Sequence, residues 1–194
     1  MRLIGGNVYL GAINVNDKAY MDKLCFWLED EEVVRYTGWV KTKPQTISEV
    51  QNYIDKLLLS EKVRLFGIYA KKKNKYIGNI RLDIEWLWRV GTISIFIGDK
   101  KEWGKGHGTE AINLITDFGF NTLNLHRIDA GILDGNIGSL KAFERAEFVI
   151  EGRQKDKRFN MGKYTDVIMV GKVNAIVQAN SCYNTFAERT DSSK

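Results

Sequence analysis

The stretch that decides the fold is residues 92–110, which read TISIFIGDKKEWGKGHGTE. Residues 92–97 are rich in β-branched and aromatic side chains, which predicts a strand. Residues 109–120 carry apolar side chains at helical spacing, which predicts a helix. Three glycines stand at alternate positions in the connection: Gly104, Gly106 and Gly108. Because glycine adopts backbone angles that other residues avoid, the connection predicts a tight turn that a ligand can approach closely.

This turn also predicts an anion site. The unpaired N–H groups and the dipole at the start of a helix favour negative charge, and Lys105 adds a positive charge. The alternative interpretation is a flexible strand-to-helix turn that binds nothing. Two better-known phosphate motifs do not match, because the spacing is G-x-G-x-G and Gly106 follows Lys105 where a nucleotide P-loop has Ser or Thr.

Outward from the turn, helices and strands alternate. The patterns predict helices over residues 14–30, from Thr46 onward, and over 109–120 and 136–146, with strands over 63–70, 76–84, 92–97, 127–133 and 164–170. Asn16 or Asp17 is the expected cap of the first helix, and Thr46 with Glu49 forms a capping-box pattern at the second.

This order of elements predicts an α+β fold with a mixed sheet. The strand–helix–strand order of the second half implies at least one parallel crossover, whereas the earlier strands are spaced like hairpins. We expect one domain over residues 1–173 and a loosely ordered tail over 174–194, where the periodicity fades.

Composition limits the classes of partner. The net charge of +5 favours an anionic partner, either nucleic acid or a phosphate-rich cofactor. The basic residues are spread along the chain, so we expect no nucleic-acid partner. No apolar run is long enough to span a membrane and no secretory signal is evident, so we expect a cytoplasmic protein.

The cysteines and histidines predict neither a disulfide nor a metal site. Cys25 and Cys182 lie far apart in the chain, and Cys25 is interpreted as a core residue. His107 and His126 have no second ligand at metal-binding spacing.

The glycine turn closely resembles the signature [Q/R]-x-x-G-x-[G/A] of the GCN5-related N-acetyltransferases (GNAT), with Trp103 at the first position. That substitution is typical of the RimJ/RimL branch of ribosomal-protein acetyltransferases. Other segments resemble this branch in order, over roughly residues 7–173: residues 27–36, 109–111, 136–139, 151–152 and 162–166.

The resemblance implies a GNAT-like acyl-CoA N-acyltransferase fold, with a central sheet splayed like a V and flanked by helices. It implies acetyl-CoA as co-substrate, with its pyrophosphate on the glycine turn and its pantetheine arm along the preceding strand. The implied cofactor-binding residues are Phe96, Ile97, Gly98, Trp103, Gly104, Lys105, Gly106, His107, Gly108, Thr109, Asn136, Ser139, Phe143 and Arg145, with Lys141 as a further candidate.

Several of these assignments have alternatives. Asn136 is equally well explained as a helix cap, and Lys141 and Arg145 as part of an exposed helix face. Many family members have a tyrosine that protonates the departing thiolate, and Phe143 occupies that position here. The branch can use a serine instead, and Ser139 fits that position, although a first-turn serine that bonds to the backbone is an alternative.

The general base has four candidate carboxylates. Glu85 and Asp83, beside the expected cleft, are favoured, and Glu31 and Glu32 are alternatives. A glutamate that the branch often carries before Gly162 is replaced here by Arg158.

The acceptor is expected to be a small-molecule or peptide amine. A nucleotide-linked aminosugar, a protein N-terminus, a polyamine and an aminoglycoside are candidates. The basic charge weakly disfavours the polyamine and fits the nucleotide-linked aminosugar better. Trp39, Trp86 and Trp88 are candidate pocket walls, and the exposed bend 86–88 also suggests a homodimer interface. A non-catalytic acyl-CoA sensor of the same fold and a nucleic-acid-binding module are the alternative functions.

Overall fold

The fold is described from a computed structural model, which describes residues 1–37 and 46–175. The described strands are β1 (Leu3–Ile4), β2 (Val8–Gly11), β3 (Val63–Ala70), β4 (Lys75–Glu85), β5 (Val90–Ile97), β6 (Arg127–Leu133), β7 (Val149–Asn160) and β8 (Lys163–Val173). The described helices are α1 (Lys18–Glu29), α2 (Glu31–Val34), α3 (Ile47–Leu59), α4 (His107–Asn121) and α5 (Ile137–Arg145). The strands form one sheet in the order β1-β2-β3-β4-β5-β6-β8-β7.

The centre of this sheet is splayed. Strands β5 and β6 run parallel, and their pairing extends only from Val90 with Arg127 to Thr92 with Asp129. The other described strand pairs are antiparallel. Beyond Thr92 and Asp129 the two strands diverge, so the sheet has the expected V shape and is both mixed and flanked by helices.

Alternate residues of each strand point to opposite faces of the sheet. Helices cover both faces, and each face has its own apolar cluster. Ile68 packs in a large core with residues of α4, including Ile112 and Ile115. The next residue, Tyr69, packs with the residues of α1 and α3 on the other face. The residues of this second cluster include Tyr20, Leu24, Trp27, Val50 and Ile54.

The predicted helix caps are confirmed. Asp17 accepts hydrogen bonds from the backbone N–H groups of Ala19 and Tyr20 and so caps α1. Thr46 and Glu49 form both bonds of a capping box at the start of α3.

The sequence patterns did not predict four of the described helices and strands. Strands β1 and β2 are only two and four residues long, and α2 has four residues. Strand β7 has twelve residues, almost all exposed, so it shows no alternation of apolar and polar side chains. It is defined by pairing with β8.

The expected domain boundary lies close to the last residue that the structure describes, residue 175. Asn174 is buried, and its side-chain amide donates to the Leu125 carbonyl at 3.2 Å. Residues 176–194, which are most of the predicted tail, lie outside the described residues, so the boundary after residue 173 stays a prediction.

A close approach at Gly98 generates a stability prediction. A Cβ atom at this position would lie 2.1 Å from the ring of Trp27, a buried residue of α1. We expect Gly98→Ala to lower the free energy of unfolding by about 2 kcal/mol, because overpacking forces the ring to shift. Urea denaturation measures the effect.

Gly152→Ala is the matched control, since nothing lies within 4 Å of the added Cβ in exposed β7. It should leave stability unchanged or slightly raised. Equal stability of the two variants would contradict the close contact between Gly98 and the Trp27 ring.

Candidate active site

The glycine turn joins β5 to α4 and leaves its backbone open to one side. Gly104 and Gly106 have φ angles of +73° and +82°, in the left-handed region that favours glycine. Nothing lies within 4 Å of the Cβ position at either residue. Gly106 is the N-cap of α4, a helix of fifteen residues. The turn therefore presents first-turn N–H groups and a helix dipole to open space.

That space is a cavity of about 540 Å³, here called the larger cavity. Its walls come from the glycine turn and α4, the end of β5, the start of α5 and residues 32–37. The sequence-predicted residues that line it are Phe96, Ile97, Trp103, Gly104, Gly106, His107, Gly108, Thr109, Asn136, Ser139, Lys141 and Arg145.

A carboxylate organises the cations around the turn. Glu102 lies 2.9 Å from Lys105 Nζ, 3.4 Å from Lys75 Nζ and 3.3 Å from His107 Nε2. The hydrogen bond from Lys105 lowers the pKa of Glu102 from 4.5 to about 2, and Lys75 adds to this effect. The Lys105 charge is therefore largely balanced within the turn, whereas Lys141 and Arg145 line the cavity from α5.

A second, smaller cavity of about 350 Å³ lies between the sheet and helices α1 and α3. It extends through the gap between the diverging ends of β5 and β6, where Ile95 and Ile132 are among its lining residues. Six residues line both cavities: Tyr36, Thr37, Ile95, Phe96, Asn136 and Ser139. The splay of the sheet therefore brings two cavities from opposite faces into contact.

Asn136 and Ser139 lie at this junction. Asn136 is the N-cap of α5, and its Oδ1 accepts a hydrogen bond from the Ser139 backbone N–H at 3.2 Å. Asn136 is thus both a helix cap and a cavity residue. The Ser139 side chain is half-buried beside both cavities.

Three of the cofactor-binding predictions fall outside the larger cavity. Gly98 is buried against Trp27, and Lys105 is turned to Glu102. Phe143 is 1% exposed, packs edge-to-face on Phe148 and lines only the smaller cavity.

The favoured carboxylates are not cavity residues. Asp83 forms an ion pair with Arg81 at 2.8 Å, and Glu85 is exposed at the end of β4. Among the alternatives, Glu32 lines the larger cavity and lies 3.0 Å from Lys100 Nζ. None of the described residues that line the smaller cavity is a carboxylate.

The sequence patterns missed a polar row in the smaller cavity. Asn79 and Arg81 stand two residues apart on β4, so they share one face of the strand, and Tyr53 of α3 faces them. The available signal was the alternation along β4, where the polar residues Asn79, Arg81 and Asp83 alternate with apolar ones and so share one face.

The predicted tryptophan walls lie elsewhere. Trp86 and Trp88 occupy the exposed turn between β4 and β5 and line neither described cavity, and Trp39 lies outside the described residues. Leu87 between them is 83% exposed. The bend is thus apolar and accessible, and a homodimer through it stays a prediction.

In residues 1–37 and 46–175, no helix is both long and apolar enough to cross a membrane. Over the same ranges, no group of His, Cys, Asp or Glu side chains is placed to hold a metal ion. Cys25 is half-buried beside the second core cluster, and burial raises the pKa of its thiol.

The profile of the acetyltransferase (GNAT) domain matches residues 12–149. The chain belongs to the GNAT family of acetyltransferases. Among curated proteins, it is 30% identical to the uncharacterized N-acetyltransferase p20 of Bacillus licheniformis over 150 residues, which are 76% of this chain and 84% of that one. It is 35% identical to the probable N-acetyltransferase YjcK of Bacillus subtilis, over 58% of this chain and 61% of that relative.

Solved structures share the fold. The spermidine N-acetyltransferase of Vibrio cholerae, in complex with CoA and spermine, superposes with a TM-score of 0.76 at 22% identity, over 88% of this chain and 97% of that one. The ribosomal-protein-S5-alanine acetyltransferase of Vibrio fischeri gives a TM-score of 0.76 at 21% identity, over 90% and 97%. The expected fold and family are confirmed, and a ribosomal-protein acetyltransferase is among the fold neighbours.

The position of Glu102 generates a prediction about acid stability. Its folded-state pKa of about 2 is below the ordinary 4.5, so its contribution is fully present above about pH 5 and is lost as the pH falls towards 2. We expect Glu102→Gln to lower the free energy of unfolding by about 1 kcal/mol at pH 7, since solvent screens the half-exposed Lys105.

Urea denaturation of both proteins at pH 7 and pH 3 measures this difference, which should fall to about half or less at pH 3. Glu144→Gln, on the exposed face of α5, is the control and should change little at either pH. A difference from wild type that stayed constant between the two pH values would contradict the assigned role of Glu102.

Proposed function

We propose that this protein transfers an acetyl group from acetyl-CoA to a primary amine, with acetyl-CoA in the larger cavity and the amine in the smaller one. The observation that carries this proposal is the junction at the sheet splay, where six residues line both cavities. A thioester brought to the junction from one face can meet an amine brought from the other. Such positioning turns a bimolecular reaction into an effectively unimolecular one.

Three features support the placement of acetyl-CoA. The open N–H groups of the glycine turn and the dipole of α4 suit the pyrophosphate. Lys141 and Arg145, which line the same cavity from α5, suit the remaining phosphate. The edge of β5 beyond Thr92 faces the gap, because β6 has diverged, so its backbone groups suit the amides of the pantetheine arm.

The chemistry proposed is direct attack by the neutral amine on the thioester carbonyl. The new C–N bond forms a tetrahedral intermediate, and the C–S bond then breaks to release the CoA thiolate. A backbone N–H near the end of β5 is the proposed donor to the oxyanion. The Ser139 hydroxyl is proposed to donate a hydrogen bond to the departing sulfur, since Phe143 carries no proton to give.

The proton that the attacking amine loses needs a general base to accept it. Because neither Asp83 nor Glu85 lines the described cavities, either carboxylate would act as general base through intervening water. The acceptors proposed are small amines or peptide N-termini. Relatives named as spermidine N(1)-acetyltransferases, from Vibrio cholerae and Escherichia coli, support a small amine as the acceptor.

A non-catalytic acyl-CoA binder is the second candidate, since a buried phenylalanine occupies the position of the family's usual acid. Release of free thiol from acetyl-CoA in the presence of a library of primary amines separates the two functions. Binding of acetyl-CoA with no thiol release above the amine-free rate would favour the binder.

Gly106→Asp tests the cofactor site. We expect acetyl-CoA to bind the wild type with micromolar-range affinity, roughly −8 kcal/mol, and the variant to show no measurable binding. An aspartate there strains the left-handed backbone and adds a negative charge where the pyrophosphate is proposed to lie. Isothermal titration calorimetry measures both affinities.

Gly162→Asp is the matched control, because Gly162 has φ +81° and nothing within 4 Å of its Cβ position, yet it lies in the β7–β8 turn. It should bind acetyl-CoA like the wild type. Unchanged affinity in Gly106→Asp would mean that the pyrophosphate lies elsewhere.

Ser139→Ala tests the leaving-group step. We expect kcat to fall roughly ten- to a hundredfold, about 1.4–2.7 kcal/mol, with little change in acetyl-CoA affinity, because only the bond to the departing sulfur is lost. Single-turnover thiol release is the measurement. Ser48→Ala, in the first turn of α3, is the control for a helix-start serine. A wild-type rate in Ser139→Ala would leave solvent to protonate the thiolate.

A further inference from the structure

The smaller cavity is lined by a buried carboxamide whose oxygen is engaged in hydrogen bonds within the protein. Asn79 is 8% exposed and lines this cavity. Its Oδ1 accepts hydrogen bonds from the hydroxyls of Tyr20 and Tyr76, both at 2.9 Å. Burial raises the pKa of both hydroxyls, so they stay protonated and keep donating.

A fold irregularity brings these groups together. The pairing of β3 with β4 shifts register between Ile68 and Tyr69, where Ile77 is the extra residue on β4. Tyr76 and Asn79, three residues apart, therefore face the same side of the sheet. With Oδ1 held by the tyrosines, the Nδ2 group is the part of Asn79 left for the cavity. Over the described residues, no side chain or carbonyl accepts a hydrogen bond from Nδ2.

The neighbouring polar residue, Arg81, is also partly committed. Its Nε and Nη2 contact the Asp83 carboxylate at 2.9 Å and 2.8 Å, and its Nη1 donates to the Tyr53 hydroxyl at 2.9 Å. Because a guanidinium has five N–H groups, Arg81 retains donors beyond these three contacts. The row formed by Asn79 and Arg81 on β4 thus offers donors to a ligand.

The described walls of the smaller cavity offer a bound cation no counter-charge. Its described lining residues include no aspartate or glutamate, and Arg81 carries a positive charge. A linear polyamine would have to bury a second ammonium group here without a counter-charge, which is costly.

We propose that the smaller cavity binds an acceptor amine of the amino-sugar class, through hydrogen bonds from the Asn79 Nδ2 group and Arg81 to oxygens on its ring, and disfavours polyamines. This assignment rests on the proposed acetyl transfer and specifies its acceptor. A site built around a donor rejects analogues that lack the matching oxygen, because the donor is then left buried and unpaired. A peptide is better recognised by a sheet edge, whereas the walls of this cavity away from the splay are side chains of α1, α3 and β4.

The test compares kcat/KM, from thiol release, for five amines. These are glucosamine, its uridine-diphosphate-linked form, cyclohexylamine (the same ring size without oxygens), spermidine and an alanyl dipeptide amide. We expect kcat/KM for one of the two sugar forms to exceed that for each of the other three amines by at least about tenfold. Comparison of the two sugar forms shows whether the acceptor is the free or the nucleotide-linked sugar. A preference for cyclohexylamine, spermidine or the dipeptide would overturn the assignment.

Asn79→Asp tests the residue itself. The variant keeps an oxygen for the two tyrosines, removes the N–H donor and adds a negative charge. We expect kcat/KM for the preferred sugar to fall about tenfold or more and that for spermidine to rise about tenfold, with acetyl-CoA affinity unchanged by calorimetry. Asn74→Asp is the matched control, because Asn74 also accepts from a tyrosine hydroxyl, that of Tyr9, but lies on the exposed β3–β4 connection.

The outcomes separate this inference from the proposed function. Acetylation of amines by the wild type, with the same preference in Asn79→Asp, would overturn the role of Asn79 and leave the transferase function standing. No thiol release with any amine would overturn both. If Asn79→Asp loses acetyl-CoA affinity, Asn79→Ser replaces it. That variant still gives the tyrosines a hydroxyl, and it should show the loss on the sugar without the gain on spermidine.

Discussion

The divergence of β5 from β6 is the constraint on which the rest of this structure depends. The two strands pair over three residues, and the Thr92 hydroxyl donates to Asp129 at 2.8 Å at the last paired position. Beyond it, β5 continues to pair with β4 while its other edge faces open space. The N–H and C=O groups along this open edge can pair with a ligand as they would with another strand. The opening therefore creates both a cavity that crosses the sheet and a strand edge suited to an amide-bearing ligand.

The two cavities that meet at this opening differ in their electrostatics. The larger cavity is lined by the N-terminus of α4 and by Lys141 and Arg145 of α5, so it suits a multiply charged anion. The smaller cavity is lined by apolar side chains and hydrogen-bond donors, with Asn79 held in place by two tyrosines. Charge thus distinguishes the two sides, and the proposed division between cofactor and acceptor follows from it.

The sequence predicted the elements of the larger cavity well because its determinants are local. Alternate glycines before an amphipathic helix need only neighbouring residues to define a turn, and Gly104 and Gly106 do adopt left-handed angles. The smaller cavity is assembled from residues far apart in the chain, such as Tyr53 and Arg81, which meet through one hydrogen bond. The alternation along β4 indicates which residues share a face but not which distant residues they meet, so Asn79 was missed and the carboxylates Asp83 and Glu85 were favoured on position alone.

The sequence by itself determined the family, most strands and helices, the caps at Asp17 and Thr46, and the turn that opens onto the larger cavity. Each depends on side-chain periodicity or on backbone angles within a few residues. Only the tertiary structure decided that Asn136 and Ser139 stand where two cavities meet, that Phe143 is core, and that Lys105 turns to Glu102. These facts depend on how distant elements pack, and packing is settled by burial and pairing over the whole sheet rather than by any short segment.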